Sequence, residues 1–150
     1  MPTKKSPRTP LDIFREVFTE VSAPKGGLPM MPTRIADVAS DDLGNMIARY
    51  TAWREFTEDR HAQACAVYAQ CKSDYDLAYS TEFLSLSNMT VTEKKTAVNA
   101  NQKVADLYKQ LTDAEIYKDL LANKLDSFSN VLAMLSRELT RRGVQNSGVL

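Results

Sequence analysis

The sequence has little of the chemistry that most enzymes and metal sites require. Its 150 residues include one histidine, His61, and two cysteines, Cys65 and Cys71. On a shared helix the cysteines would lie about 9 Å apart along the axis and on different faces, too far for an internal disulfide. Glu58, His61 and Cys65 could share a helix face, but no second Cys/His cluster completes a tetrahedral metal site. Neither a phosphate loop nor a nucleophile elbow is present, so we expect no catalytic residue, no metal and no cofactor.

An excess of charge of one sign and a long apolar run are also missing. Lys and Arg total 19 and Asp and Glu total 19, which excludes a strongly basic DNA-coating protein and an acidic DNA mimic. No apolar run approaches the roughly 20 residues of a membrane span, and charged residues interrupt the stretch 11–21. We therefore expect a soluble, single-domain, cytoplasmic protein (in the host cytoplasm if it is phage-encoded) with no membrane partner.

Proline and glycine are unevenly distributed. All six prolines lie in the first 32 residues, and neither residue type occurs between Gly44 and Gly143. Because strands would need frequent turns, this predicts a Pro-rich basic arm over 1–34 and a helical body over 35–150. With helices over about 41–84 and 90–142 and a short connection, the fold class is all-α. We expect a long antiparallel helical hairpin, preceded by a short N-terminal helix and assembling as a helical oligomer.

The arm contains the short helix, capped by Thr9 and started by Pro10. A helix of twelve residues is marginal alone, so its apolar stripe must dock on its own body, on a neighbouring subunit or on a partner protein. Docking on its own oligomer is favoured, because an exposed stripe invites aggregation. The stripe comprises Leu11, Phe14, Val17, Phe18 and Val21.

Capping signals and heptads organise the body. Ser40 caps the first helix, whose seam is rich in Ala, Cys and Tyr. Thr90 and Glu93 match a capping box at the start of the second helix. Thr112 and Glu115 match another, which leaves open whether the helix breaks near Thr112. Arg141, Arg142 and Gly143 then form a helix stop.

Two helices bury only one seam each, which is a thin core for 150 residues. This favours a homo-oligomer of unspecified stoichiometry. Its interface is predicted on the strongest heptad run, Leu121, Leu125, Phe128, Leu132, Leu135 and Leu139.

Lysines and tyrosines mark a candidate nucleic-acid surface, because phosphates attract cations and bases stack on aromatic rings. Alternatively, the lysines are a solvated helix face, the tyrosines fill the seam, and the basic residues before Pro10 are a solvated tail. The candidates are Lys94, Lys95, Lys103, Lys109, Lys72, Tyr75, Lys4, Lys5 and Arg8.

The order of these features resembles the UvsY recombination mediators of tailed phages, over about residues 43–143. The residues that carry the resemblance are Tyr50-Thr51-Ala52-Trp53, Asp76-Leu77-Ala78-Tyr79-Ser80, Thr90 to Lys95, Lys124-Leu125-Asp126-Ser127-Phe128 and Arg141-Arg142-Gly143. The resemblance implies a small, all-helical, oligomeric protein that binds single-stranded DNA. It also implies partners: a RecA-like recombinase, which the mediator helps to load, and the single-strand-binding protein that covers the DNA.

Two other functions fit the same helices. One is a phage structural, scaffold or adaptor protein that binds no nucleic acid. The other is a regulator that binds one host or phage protein through the N-terminal helix. Charge separates these alternatives, since a mediator needs a basic surface after assembly and a scaffold does not.

Overall fold

A computed structural model describes residues 8–18 and 21–147, with side chains described as far as residue 143. It contains α1 (Pro10–Val17), a 3₁₀ turn (Ile35–Asp37), α2 (Ser40–Ser85), α3 (Val91–Ala100) and α4 (Gln102–Ser147). The described residues include no strand, which confirms the predicted all-α class. Among the described helices, none combines the length and the apolar character needed to cross a bilayer.

The second long helix of the prediction is two helices, α3 and α4, separated at Asn101. The Asn101 backbone N–H donates to the Val98 carbonyl at 3.1 Å, which ends α3. Its Oδ1 accepts from the Val104 N–H at 3.3 Å, which caps α4. At Thr112 the helix is unbroken, because the hydroxyl donates to the Tyr108 carbonyl at 3.0 Å instead of capping a new helix.

Two predicted helix ends are wrong. The helix stop at Gly143 does not hold, since α4 continues to Ser147. The N-terminal helix was expected to extend to Val21, but α1 ends at Val17 and the Phe18 backbone is extended. Its start is as predicted: Thr9 and Asp12 form a capping box, and the Thr9 backbone N–H holds the pKa of Asp12 below its usual value.

The chain divides into two compact units, each with its own packing. Unit 1 comprises the described residues 8–18 together with 61–120, and unit 2 comprises 21–60 with 121–147. In unit 1, Tyr75 contacts Tyr108 and the Lys118 ammonium lies over the Tyr68 ring. In unit 2, Tyr50 lies against Phe128. In each unit α2 and α4 therefore run antiparallel, which confirms the predicted hairpin arrangement.

The core of unit 2 is formed by Leu43, Tyr50, Phe128 and Leu135, all buried. The Tyr50 and Phe128 rings meet edge to face with centroids 6.1 Å apart. The segment before α2 completes this core, since Met31 of the Pro-rich arm and Ile35 and Val38 after it pack against the cluster.

Side chains of α2 form hydrogen bonds with the loop that precedes the 3₁₀ turn. Arg49 Nη2 donates to the carbonyls of Gly26 at 2.6 Å and Gly27 at 2.9 Å, and Trp53 Nε1 donates to Gly27 at 3.0 Å. The Tyr50 hydroxyl donates to the Pro29 carbonyl at 2.9 Å. Gly26 and Gly27 have φ of +88° and +64°, which glycine adopts without the strain that a side chain brings.

The predicted oligomer interface is wrong for two of its residues, because the chain buries them in its own core. Phe128 and Leu135 are fully covered within unit 2, and Leu132 packs against the same cluster. Leu121 and Leu125 are half-buried, whereas Leu139 is exposed. A heptad pattern identifies the buried face of a helix, but it does not say whether the covering helix belongs to the same chain.

Arg142 of α4 forms hydrogen bonds with the 3₁₀ turn and with the residues that lead into α2. Its Nε donates to Glu138 Oε1 at 2.9 Å, and its Nη1 donates to the Val38 carbonyl at 2.6 Å. Its Nη2 donates to the carbonyls of Ile35 and Ala36, each at 3.1 Å. Hydrogen bonds from both neighbouring arginines lower the pKa of Glu138 to about 2, so this carboxylate stays charged. The expected role of Arg142 at a helix stop is therefore replaced by a tertiary one.

We expect Arg142→Ala to lower the free energy of unfolding by about 1.5–3 kcal/mol, because removal of the charged donor takes its hydrogen bonds away from the part-buried carbonyls of Val38 and Ile35. Urea unfolding followed by circular dichroism measures this loss. Arg137→Ala is the matched control: Arg137 is exposed in the same helix, so its loss should cost less than about 0.5 kcal/mol. Equal effects of the two substitutions would show that Arg142 does not hold unit 2 together.

Candidate nucleic-acid interface

The candidate interface is built around the junction of α3 and α4 in unit 1. Thr90 and Glu93 form the predicted capping box at the start of α3. The Thr90 backbone N–H donates to Glu93 at 2.8 Å and lowers the pKa of that carboxyl group. Val98 and Val104, on either side of the break at Asn101, are both buried. These apolar anchors fix the junction, and polar side chains of both helices remain on the surface.

Three of the predicted lysines are exposed on this junction. Lys95 lies on α3, and Lys103 and Lys109 lie on α4. None of the three forms an ion pair with another described residue. Their charges are therefore available to an anionic ligand.

The remaining predicted cations are engaged within the chain or lie outside the described residues. Lys94 lies over the Phe83 ring, 5.4 Å from its centroid. Lys72 pairs with Asp76 at 3.2 Å. Arg8 pairs with Glu16, and Lys4 and Lys5 lie outside the described residues.

Aromatic rings form a row beside the junction. The centroid of Tyr75 lies 5.5 Å from that of Tyr108 and 5.9 Å from that of Tyr79. The Tyr79 ring continues to Phe83 at 6.3 Å. Together Tyr75, Tyr79, Phe83 and Tyr108 form this row. It joins α2 to α4 through the Tyr75–Tyr108 contact.

Tyr75 is placed by the structure inside the packing of unit 1. It is half-buried, and burial, followed by the neighbouring Tyr79 and Tyr108, raises the pKa of its phenol. Tyr108 is the ring that solvent reaches, with 57% of its surface exposed. Tyr108 is not among the residues predicted from the sequence for this surface.

Two cavities flank Val104. The first, about 470 Å³, is lined by Tyr75, Asn99, Val104, Ala105 and Tyr108. The second, about 480 Å³, lies between the outer side of α2 and the start of α4. Its lining comprises Asp74, Leu77, Ala78, Thr81, Glu82, Asn101, Lys103, Val104 and Leu107. The second cavity carries two carboxylates, whereas the first carries none. Of the two, the first is the better suited to an anionic ligand.

The predicted docking helix lies against α2 of its own chain. Ala62, Cys65 and Ala66 form one side of a groove, and the other side is formed by Pro10, Ile13, Phe14, Val17 and Phe18 of the N-terminal segment. Phe14 stacks on Phe18 with centroids 5.0 Å apart, and Leu11 is half-buried. Val17, Phe18 and Val21 remain exposed.

His61 is close to Cys65, which lines this groove. His61 Nε2 and Cys65 Sγ are 3.7 Å apart. Within the described part of the chain, no three His, Cys, Asp or Glu side chains cluster in a way that could hold a metal ion.

We expect Tyr75→Ala to lower the free energy of unfolding by about 2 kcal/mol, because the half-buried ring packs on two others; a fully buried aromatic would cost about 3–5 kcal/mol. Thermal and urea unfolding measure the loss. Tyr117→Ala, which removes an exposed ring from α4, is the control and should be nearly neutral. Unchanged stability of Tyr75→Ala, with loss of oligonucleotide binding, would contradict the packing role and support base stacking on Tyr75.

Comparison with known proteins adds no relative: the chain matches no protein-family model, no curated protein and no solved structure. Its function is therefore inferred from its own residues and their geometry.

Proposed function

We propose that this protein is a non-catalytic, oligomeric, single-stranded-DNA-binding recombination mediator. The observation that carries the proposal is the grouping of Lys95, Lys103 and Lys109 around the α3–α4 junction, exposed and without ion pairs among the described residues. The exposed ring of Tyr108 lies on the same segment. Cations with an accessible aromatic ring are the combination that single-stranded nucleic acids require, because phosphates and bases are then contacted together.

Local charge supports this placement. The segment 91–112 carries four lysines and only two acidic residues, Glu93 and Asp106. The facing part of α2 is acidic, with Asp74, Asp76 and Glu82 among its exposed or half-buried residues. Asp74 and Glu82 share a cavity with Lys103, so phosphates would be attracted chiefly by the excess of lysines in the segment 91–112 outside that cavity, despite the zero net charge of the chain.

Self-association is the second element of the proposal. Leu77, Leu84, Ile116 and Leu120 of unit 1 all expose more than half of their surface. Exposed aliphatic side chains of this kind favour burial against another chain. They offer an interface other than the predicted heptad run, and an oligomer would repeat the junction lysines around its symmetry axis.

The mediator role depends on exchange of DNA-bound proteins. A small number of phosphate contacts gives weak binding, which suits a protein that must release the strand. We propose a RecA-like recombinase and a single-strand-binding protein as partners, in the cytoplasm of the host cell. Filament assembly by a RecA-like recombinase on strands precovered with single-strand-binding protein tests this step: the protein should shorten the lag before assembly.

A scaffold or adaptor role without nucleic acid is the second candidate. The exposed apolar residues of both α2 and α4 favour it, because assembly alone would explain them. On this alternative the junction lysines would serve only to keep the surface soluble.

We expect the protein to bind a fluorescein-labelled 30-nucleotide single strand more tightly than duplex DNA, and less tightly as salt increases. Replacing Lys95, Lys103 and Lys109 together with Ala should weaken binding. It should also reduce the magnitude of the slope of log K against log salt by about 2, since each phosphate contact on a single strand contributes about 0.7. Fluorescence anisotropy measures both quantities. Helicity should not change, because all three side chains are exposed.

The control removes the same charge from unit 2, where Lys25, Arg34 and Arg137 are exposed. The triple Ala variant at these positions should keep both the affinity and the salt slope. An unaltered protein that retains no oligonucleotide at low salt would contradict DNA binding and leave the scaffold role.

A further inference from the structure

The cavity of about 470 Å³ at the junction has a composition that the phosphate-binding proposal does not explain. Tyr75 and Tyr108 form its aromatic side, Val104 and Ala105 contribute apolar surface, and Asn99 supplies the polar group. A volume of this size falls within the range of small-ligand pockets, which are apolar with few polar groups. Phosphate contacts alone need none of these side chains.

The geometry of the two rings limits what can bind. Their centroids are 5.5 Å apart and their planes are inclined by 52°. A flat ring inserted between them would need about 7 Å, which is two stacking contacts of about 3.5 Å. A planar ligand must therefore stack on Tyr108 without entering between the two rings, and 57% of the surface of Tyr108 is exposed.

Asn99 provides polar recognition at the same place. Its carboxamide can both donate and accept hydrogen bonds. It forms no side-chain hydrogen bond with another described residue, so both capacities remain available. The edge of a nucleobase presents neighbouring donor and acceptor groups, which a single carboxamide can match.

Lysines are close to the cavity-lining residues along the chain, and Lys103 also lines the neighbouring cavity that carries Asp74 and Glu82. Lys95 precedes Asn99 by four residues in α3, which is about 6 Å along the helix. Lys103 and Lys109 bracket Val104 and Tyr108 in α4. A ligand that combines a flat heterocycle with phosphates fits this arrangement better than either group alone.

We propose that this cavity binds one nucleobase of a single strand, stacked on Tyr108 and hydrogen-bonded by Asn99. The proposal rests on the DNA-binding function proposed above and deepens it by naming the cavity that holds the base and the carboxamide that hydrogen-bonds to it. A free nucleotide offers the same base and phosphate chemistry, but it lacks the adjacent phosphates that the three lysines would contact together.

The test compares two oligonucleotides of equal length and charge, one of deoxyadenosine and one whose central nucleotides are abasic, by anisotropy with the full chain. Stacking on one ring is worth roughly a 5- to 150-fold difference in affinity, which is about 1–3 kcal/mol for each base. We expect the unaltered protein to prefer the base-containing strand. Asn99→Ala and Tyr108→Ala should reduce that preference while keeping the salt slope. Tyr117→Ala, at an equally exposed ring outside the cavity, should retain it.

The possible results separate the two proposals. Equal, salt-dependent binding of both oligonucleotides would overturn the base site and leave phosphate binding intact. Failure to bind either strand would overturn the DNA-binding function itself. Tighter binding of dAMP than of the deoxyadenosine strand would assign the cavity to free nucleotides and overturn the strand assignment. Because Asn99 is exposed, its variant should fold normally and keep the test valid even if Tyr108→Ala is unstable.

Discussion

The packing of α2 against α4 is the interaction on which every other feature depends. Each helix has 46 residues, and isolated helices are marginal in water without a partner for the apolar face. Few apolar side chains of the described residues are buried: Leu43, Tyr50, Phe128 and Leu135 in unit 2, and Ala64, Val98 and Val104 in unit 1. Because so few apolar side chains are buried, the hydrogen bonds of Arg142 and the packing of the segment before α2 contribute a large share of the stability.

Asn101 shapes the surface at which we propose that nucleic acid binds. By ending α3 and capping α4, it introduces a break that the buried Val98 and Val104 hold in place. The lysines of two different helices consequently lie on either side of the break, and Val104 and Tyr108 line one cavity. A continuous helix would have distributed the same residues around a single cylinder. The candidate site therefore depends on an asparagine that contacts no ligand in either proposal.

Much of the fold could be predicted from the sequence, because it depends on local rules. The N-cap at Thr9 and the capping box at Thr90 determine where α1 and α3 begin, and the absence of proline and glycine together with the heptads determines α2 and the buried face of α4. The capping box at Thr112 was misleading, since its hydroxyl can equally bond back along a continuing helix. The roles of Arg142 and Phe128 could not be read locally, because their partners are distant in sequence. The lysines could be identified as candidates from the sequence alone. The cavity lined by Asn99 and Tyr108 could not, because Tyr75, which also lines it, is distant in the sequence.

Lysine footprinting tests the central claim, that the α3–α4 junction is the nucleic-acid surface. The intact protein is acetylated with and without a saturating single-stranded oligonucleotide, and modification at each lysine is measured by mass spectrometry. The account predicts that the strand protects Lys95, Lys103 and Lys109, while Lys25 and Lys124, exposed in unit 2, react equally in both samples. Equal protection of all five lysines, or protection of the unit 2 pair alone, would contradict it.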